Sequence, residues 1–185
     1  MSSLIHDLET GSFPGWPEAE WRCYLWEKAD EAFRSDTLEG RLFAYLIFQQ
    51  LAEELLIVAA EYYIFELRCM IYPRDVQFRS LRDMTFGQAI AYAQEVCPRD
   101  ARLNALLEAC TRLNQLRKRF VHKLLEFEDE SKVMKTTERA RSIIRRIDDC
   151  FDDIADHYRI NVFPYWQSRV EELKASNKTD AGDGK

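Results

Sequence analysis

The chain has 185 residues, 46% of them apolar and 31% charged, with a formal net charge of −6 at neutral pH. That length and mix predict a globular domain with a core of its own. They exclude a protein that attracts nucleic acid through its overall charge, so any such site must be a local basic patch.

Residues 1–17 contain Gly11, Pro14, Gly15 and Pro17 and read as an irregular lead-in. They have neither a basic start nor a continuous apolar stretch, which argues against a secretory signal. Residues 18–33 predict a first helix, with Trp21, Leu25, Ala29 and Phe33 about one turn apart. Ser35, Asp36 and Thr37 supply a break and a cap for the next helix. That helix spans residues 38–71 and ends before Pro73. It is apolar on nearly every side, as a central helix or one facing a second subunit would be. Gln49, Gln50, Glu53, Glu54, Glu61 and Glu66 interrupt it. Carboxylates are costly in lipid, so no membrane span is expected and the location reads as cytoplasmic.

Residues 73–85 form a basic and polar loop, and residues 86–96 a short helix closed by Pro98. Asp100 is placed to cap the following helix, whose stripe is Leu103, Leu106, Leu107, Cys110, Leu113, Phe120, Val121, Leu124 and Leu125. Residues 126–135 are charged and read as a solvated connection. A further helix starts near Thr136, carries Ile143, Ile144, Ile147, Cys150, Phe151, Ile154 and Tyr158, and stops or kinks at Pro164. Phe163, Tyr165 and Trp166 are expected to fold back on the core. The fold class is therefore all-α, a bundle of about five helices over residues 18–173, with a disordered tail at 174–185.

The five cysteines, Cys23, Cys69, Cys97, Cys110 and Cys150, are scattered and never form C-x2-C. That fits neither a disulfide framework nor a zinc site, and they read as small core residues. Glu53, Glu54 and Glu61 make a carboxylate row without the accompanying E-x2-H of a di-iron bundle, so no metal is expected. Asp148, Asp149, Asp152 and Asp153 are expected to face water.

One window stands out: Leu113, Asn114, Gln115, Leu116, Arg117, Lys118, Arg119, Phe120, Val121, His122. At about 100° per residue, Arg117 and Asn114 fall in the middle of the apolar stripe, where an unpaired guanidinium is costly. His122 lies roughly 140° from Arg117, so one helix alone does not bring the two together. A second copy packed antiparallel is one source of the missing partner. Alternatively, Arg117 pairs structurally with Glu53, Glu54, Glu61 or Glu66, and His122 is a core-edge histidine. From Arg112 to Arg146 there are eleven basic residues against five acidic ones, a local excess of six in an acidic chain.

Arg117 and His122 resemble the R-x4-H motif of the HEPN superfamily, set on a long amphipathic helix within a bundle. The preceding Phe86, Gly87, Gln88, Ala89, Ile90 segment is similar to the short helix that often comes before the motif. Lys118 stands where the family usually has Asn, Asp or His, and Leu124 where some antitoxin-paired members have Tyr. The resemblance implies a metal-independent endoribonuclease without a cofactor, a toxin or defence component working as a homodimer with one composite cleft. It makes His122 the general acid or base and Arg117 the phosphate holder. Lys118, Arg119, Lys123 and Asn114 then contact RNA, and a cognate antitoxin or other partner protein is expected. The alternatives are a catalytically inactive module of that kind, binding a partner protein or RNA, and a helical regulatory protein.

Overall fold

Side-chain caps at Thr37, Thr85, Asp100 and Asp129 set the starts of four helices. The computed structural model describes residues 3–11, 19–74, 76–98, 100–123 and 129–180; for residues 3, 19, 121–123 and 176–180 it describes the backbone alone. The helices are α1 (Ser3–Thr10), α2 (Ala19–Arg34), α3 (Leu38–Ile71), α4 (Phe86–Val96), α5 (Ala101–Lys123), α6 (Glu130–His157), α7 (Phe163–Ser168) and α8 (Val170–Asp180). There is no strand among the described residues, and the molecule is an all-α helical bundle. The Thr37 hydroxyl accepts the Gly40 N–H at 3.1 Å, and Thr85 and Gln88 form a reciprocal capping box at the start of α4.

α3 is the centre. It packs against α2 and α6, and more lightly against α4 and α5, while α5 and α6 pack on each other. By length and composition it could cross a membrane, but most of its apolar window is buried inside the bundle. Tyr62 stacks on Tyr158 with ring centroids 5.3 Å apart, and the Tyr158 hydroxyl donates to Glu66 at 2.6 Å. Phe33 of α2 lies between two guanidinium groups, Arg41 at 3.8 Å and Arg141 at 4.4 Å. Arg141 also bonds Asp30 at 2.7 Å, so one aromatic ring and one carboxylate tie α2, α3 and α6 together.

Several expectations need correction. The lead-in is not irregular throughout. Ser3–Thr10 is helical, and Leu4, Ile5 and Leu8 are buried with Phe65, Cys69, Val170 and Leu173 in a second, smaller core. The terminal segment is helical through Asp180; residues 181–185 lie outside the described residues. α6 begins at Glu130, capped by Asp129, about two turns before the expected start, and the early turns bury Val133. α6 does not simply stop at Pro164. The Phe163 N–H bonds to the carbonyl of Tyr158, five residues back, and this wide turn leads into α7 with the proline in its first turn. Trp21 does not point inward; it is exposed and stacked on Tyr24. Cys69, Cys97, Cys110 and Cys150 are buried, and Cys23 is exposed. Phe163 and Trp166 pack on the core as expected, while Tyr165 is exposed.

Asp149, Asp152 and Asp153 face water, but Asp148 is half-buried. Burial and the nearby Asp152 push its carboxyl up to about 6; Arg22 of α2 opposes this, and Asp149 adds a smaller push. An acid whose pKa rises on folding costs stability where it is ionised. The cost is present above about pH 6 and disappears below about pH 4, where both states hold the proton. Asp148→Asn should therefore raise the melting temperature by roughly 2–4 °C at pH 7.5. The gain should fade as the pH is lowered toward 4, which thermal melts across that range will show.

Candidate functional site

α5 is fixed at its start by Asp100, whose carboxylate accepts the N–H groups of Arg102 at 2.7 Å and Leu103 at 3.3 Å. Hydrogen bonding to these amides and to the Tyr63 hydroxyl holds the Asp100 carboxyl below its ordinary range against the effect of burial. The helix then runs antiparallel along α3. Tyr63 donates to Asp100 at 3.0 Å at one end, and Tyr45 meets Phe120 at 4.5 Å between ring centroids at the other. Leu103, Leu106, Leu107, Cys110, Leu113 and Phe120 are buried.

This alignment sets Arg117 over one row of α3: Tyr45, Gln49 and Glu53, spaced i, i+4, i+8. Gln49 donates to the Tyr45 hydroxyl at 3.1 Å. Burial pushes the Tyr45 phenol up to about 12, with the Arg117 charge drawing it back. Burial likewise raises the Glu53 carboxyl, again with Arg117 as the main opposing influence. Arg117 is half-buried between these groups. Among the described residues it makes neither an ion pair nor a hydrogen bond.

The structural ion pair considered from sequence is thus not formed among the described residues. Glu54 and Glu61 face Arg82, at 3.1 and 3.4 Å, and Glu66 accepts from Tyr158. Arg117 also does not sit in the middle of a fully buried face, because α3 meets it with polar side chains.

Asn114 lies one turn before Arg117, against α4. A methyl group on Gly87 would come within 3.0 Å of the Asn114 amide nitrogen, so the glycine makes room for it. Lys118 and Arg119 are exposed. His122 and Lys123 are on the α5 backbone, but their side chains lie outside the described residues, as do Leu124 and Leu125 entirely. The structure therefore brings Arg117 to a polar seam with Tyr45, Gln49 and Glu53, sets Asn114 one turn away against Gly87 of α4, and leaves Lys118 and Arg119 on the surface. Of the later basic run, Arg139, Arg145 and Arg146 are exposed, whereas Arg141 is engaged by Asp30 and Phe33.

Of this seam, Tyr45 carries no signal of its own in the sequence, and Gln49 stands out only as one of several polar residues that interrupt the apolar helix. Their four-residue spacing to Glu53 is visible, but only the position of α5 shows that the row faces Arg117. A cavity of about 600 Å³ opens between α4 and α5, lined by Ala93, Cys97, Leu103, Asn104, Leu107 and Arg112 among others, and it does not include Arg117. No cluster of three or more potential metal-ligating side chains occurs among the described residues. The chain matches no known family model, no curated protein and no solved structure.

Proposed function

We propose that the chain is a HEPN-like, metal-independent endoribonuclease, a toxin or defence component, with a composite Arg117 and His122 site formed in a cytoplasmic homodimer. The observation that carries the reading is Arg117. It is a half-buried guanidinium with no ion pair among the described residues, on the helix that also carries His122, next to exposed Lys118 and Arg119. A half-buried cation left with open donor sites suits a phosphate.

In this reading the ribose 2′-OH attacks the adjacent phosphorus and the 5′-oxygen leaves, giving a 2′,3′-cyclic phosphate and a 5′-hydroxyl. His122 takes the 2′-OH proton or supplies one to the leaving oxygen, work suited to an imidazole that titrates near neutrality. Arg117 holds the phosphate and balances the charge that grows on its oxygens. Lys118, Arg119 and Lys123 supply field along the RNA backbone, and Asn114 offers an amide at the edge of the site.

The placement of Arg117 over Tyr45 and Glu53 favours one other reading. Part of its charge is already answered inside the molecule, which suits a catalytically inactive helical module that binds a partner protein or RNA. The two readings separate in one assay. With EDTA present, the wild-type chain should cut single-stranded RNA, and His122→Ala should lower the rate by about 100-fold or more. Circular dichroism should show the helix content of His122→Ala unchanged. Equal rates for the two proteins would sink the ribonuclease reading.

A further inference from the structure

α3 carries an exposed face that the bundle does not cover. Phe43 is 50% exposed and Leu46 59% exposed, and Glu39 and Gln50 beside them are exposed too. At about 100° per residue these four fall within about 60° of one another, and Glu53 falls on the same side. Two adjacent, half-exposed large apolar side chains on an otherwise central helix form a surface suited to burial against another protein.

The spacing along this face selects the occupant. Glu39 and Glu53 are each seven residues, close to two full turns, from Leu46. If a two-fold axis crosses α3 at Leu46, each residue meets the one equally far on the other side. Leu46 then packs on itself, and Phe43 covers the Gln49 and Gln50 turn of the second copy. Glu39 arrives beside Glu53 of the second copy, where Arg117 lies. Within one copy, Glu39 makes no ion pair among the described residues, and neither does Arg117. The pairing thus brings an open carboxylate to an open guanidinium at both ends of the seam.

We infer that this face docks a second copy of the chain, α3 against α3 in antiparallel register about Leu46, and that Glu39 of the second copy completes the Arg117 site. The inference rests on the reading of Arg117 as the centre of a site shared by two copies. Glu39 serves as a positioning residue: with Glu53 it holds the guanidinium from two sides, and Arg117 presents donors enough for both carboxylates and a phosphate.

Sedimentation velocity and crosslinking test it. The wild-type chain should sediment as a dimer, and Leu46→Glu should make it a monomer with unchanged helix content. In a Cys23→Ser background, Leu46→Cys should form a disulfide-linked dimer under a mild oxidant, because the axis sets the residue against its own copy. A cysteine placed at exposed Ile160 should not. Glu39→Lys and Arg117→Glu should each weaken dimerisation about tenfold or more, and the two together should recover most of that loss. A wild-type monomer, or a dimer that Leu46→Cys does not link, would overturn the seam. Failure of the double variant to recover would overturn the contact between Glu39 and Arg117. RNA cleavage measured on the same samples keeps the two ideas apart. A linked dimer that cuts no RNA removes the ribonuclease reading and leaves the seam standing, while cleavage by a chain that is monomeric throughout removes the seam and the shared site and leaves the ribonuclease chemistry.

Discussion

Arg117→Ala should reduce kcat for RNA cleavage by about 100- to 1000-fold, the usual loss when one preorganised donor to a developing oxyanion is removed. Arg117→Lys should restore only part of it, since an ammonium supplies charge without the planar fork. The same Arg117→Ala protein should lose less than about 1 kcal/mol of stability. Arg117 is half-buried and makes no ion pair among the described residues, so its removal breaks no salt bridge within the copy and takes away only the more distant charge that offsets the burial of Glu53. A structural buried pair would behave in the opposite way, losing about 3–5 kcal/mol when one partner is removed. Rate and melting temperature measured on one preparation therefore separate the catalytic role from the structural one. A large loss of stability at Arg117→Ala would favour the inactive module.

Gly40→Ala should be the most damaging single methyl in the fold. α2 ends and α3 begins so close together at this point that a Cβ on Gly40 would lie 2.2 Å from the Ser35 hydroxyl and 2.4 Å from the Ala32 carbonyl. The hydroxyl can rotate away. The carbonyl cannot, because it belongs to the last turn of α2 and accepts both the Ser35 amide and the Ser35 hydroxyl. Relief requires the two helices to separate, which also disturbs Arg41, Phe33 and Asp36 at the same corner. Overpacking of this kind costs about 1–3 kcal/mol, and the backbone clash puts Gly40→Ala at the upper end. In a chain of this size that corresponds to a fall in melting temperature of roughly 5–10 °C. Gly87→Ala is the control. Its new methyl meets only the Asn114 amide at 3.0 Å, a side chain that can shift, so the loss should be much smaller.

The helices that residue chemistry ends sharply were legible in the sequence. Thr37 and Asp100 cap where their side chains suggest, and α3 and α4 have the expected limits. α1 was not legible because eight residues bury only three apolar side chains and a Gly- and Pro-rich stretch follows. The start of α6 was not legible because its first turns are charged and bury little beyond Val133. The reason is the same in both places. Those segments are helical through their tertiary neighbours, and local pattern carries little of that information.

The site divides in a similar way. Arg117 and Asn114 were visible as polar residues on an apolar stripe, which marks them without saying what they meet. Tyr45 was hidden inside a helix that reads as apolar on nearly every side, and Gln49 was visible there only as a polar interruption. The antiparallel run of α5, from Tyr63 with Asp100 to Tyr45 with Phe120, turns that row toward Arg117. The exposure of Phe43 and Leu46 was likewise hidden, since an all-round apolar helix does not reveal which turn its neighbours leave uncovered.

The central claim concerns chemistry at one phosphate, and the products of a single reaction test it most directly. Wild-type protein incubated with single-stranded RNA and EDTA should leave fragments ending in 2′,3′-cyclic phosphate and beginning with 5′-hydroxyl, as mass spectrometry of the fragments will show. Fragments ending in 3′-hydroxyl, cleavage that needs added divalent metal, or intact RNA would contradict it.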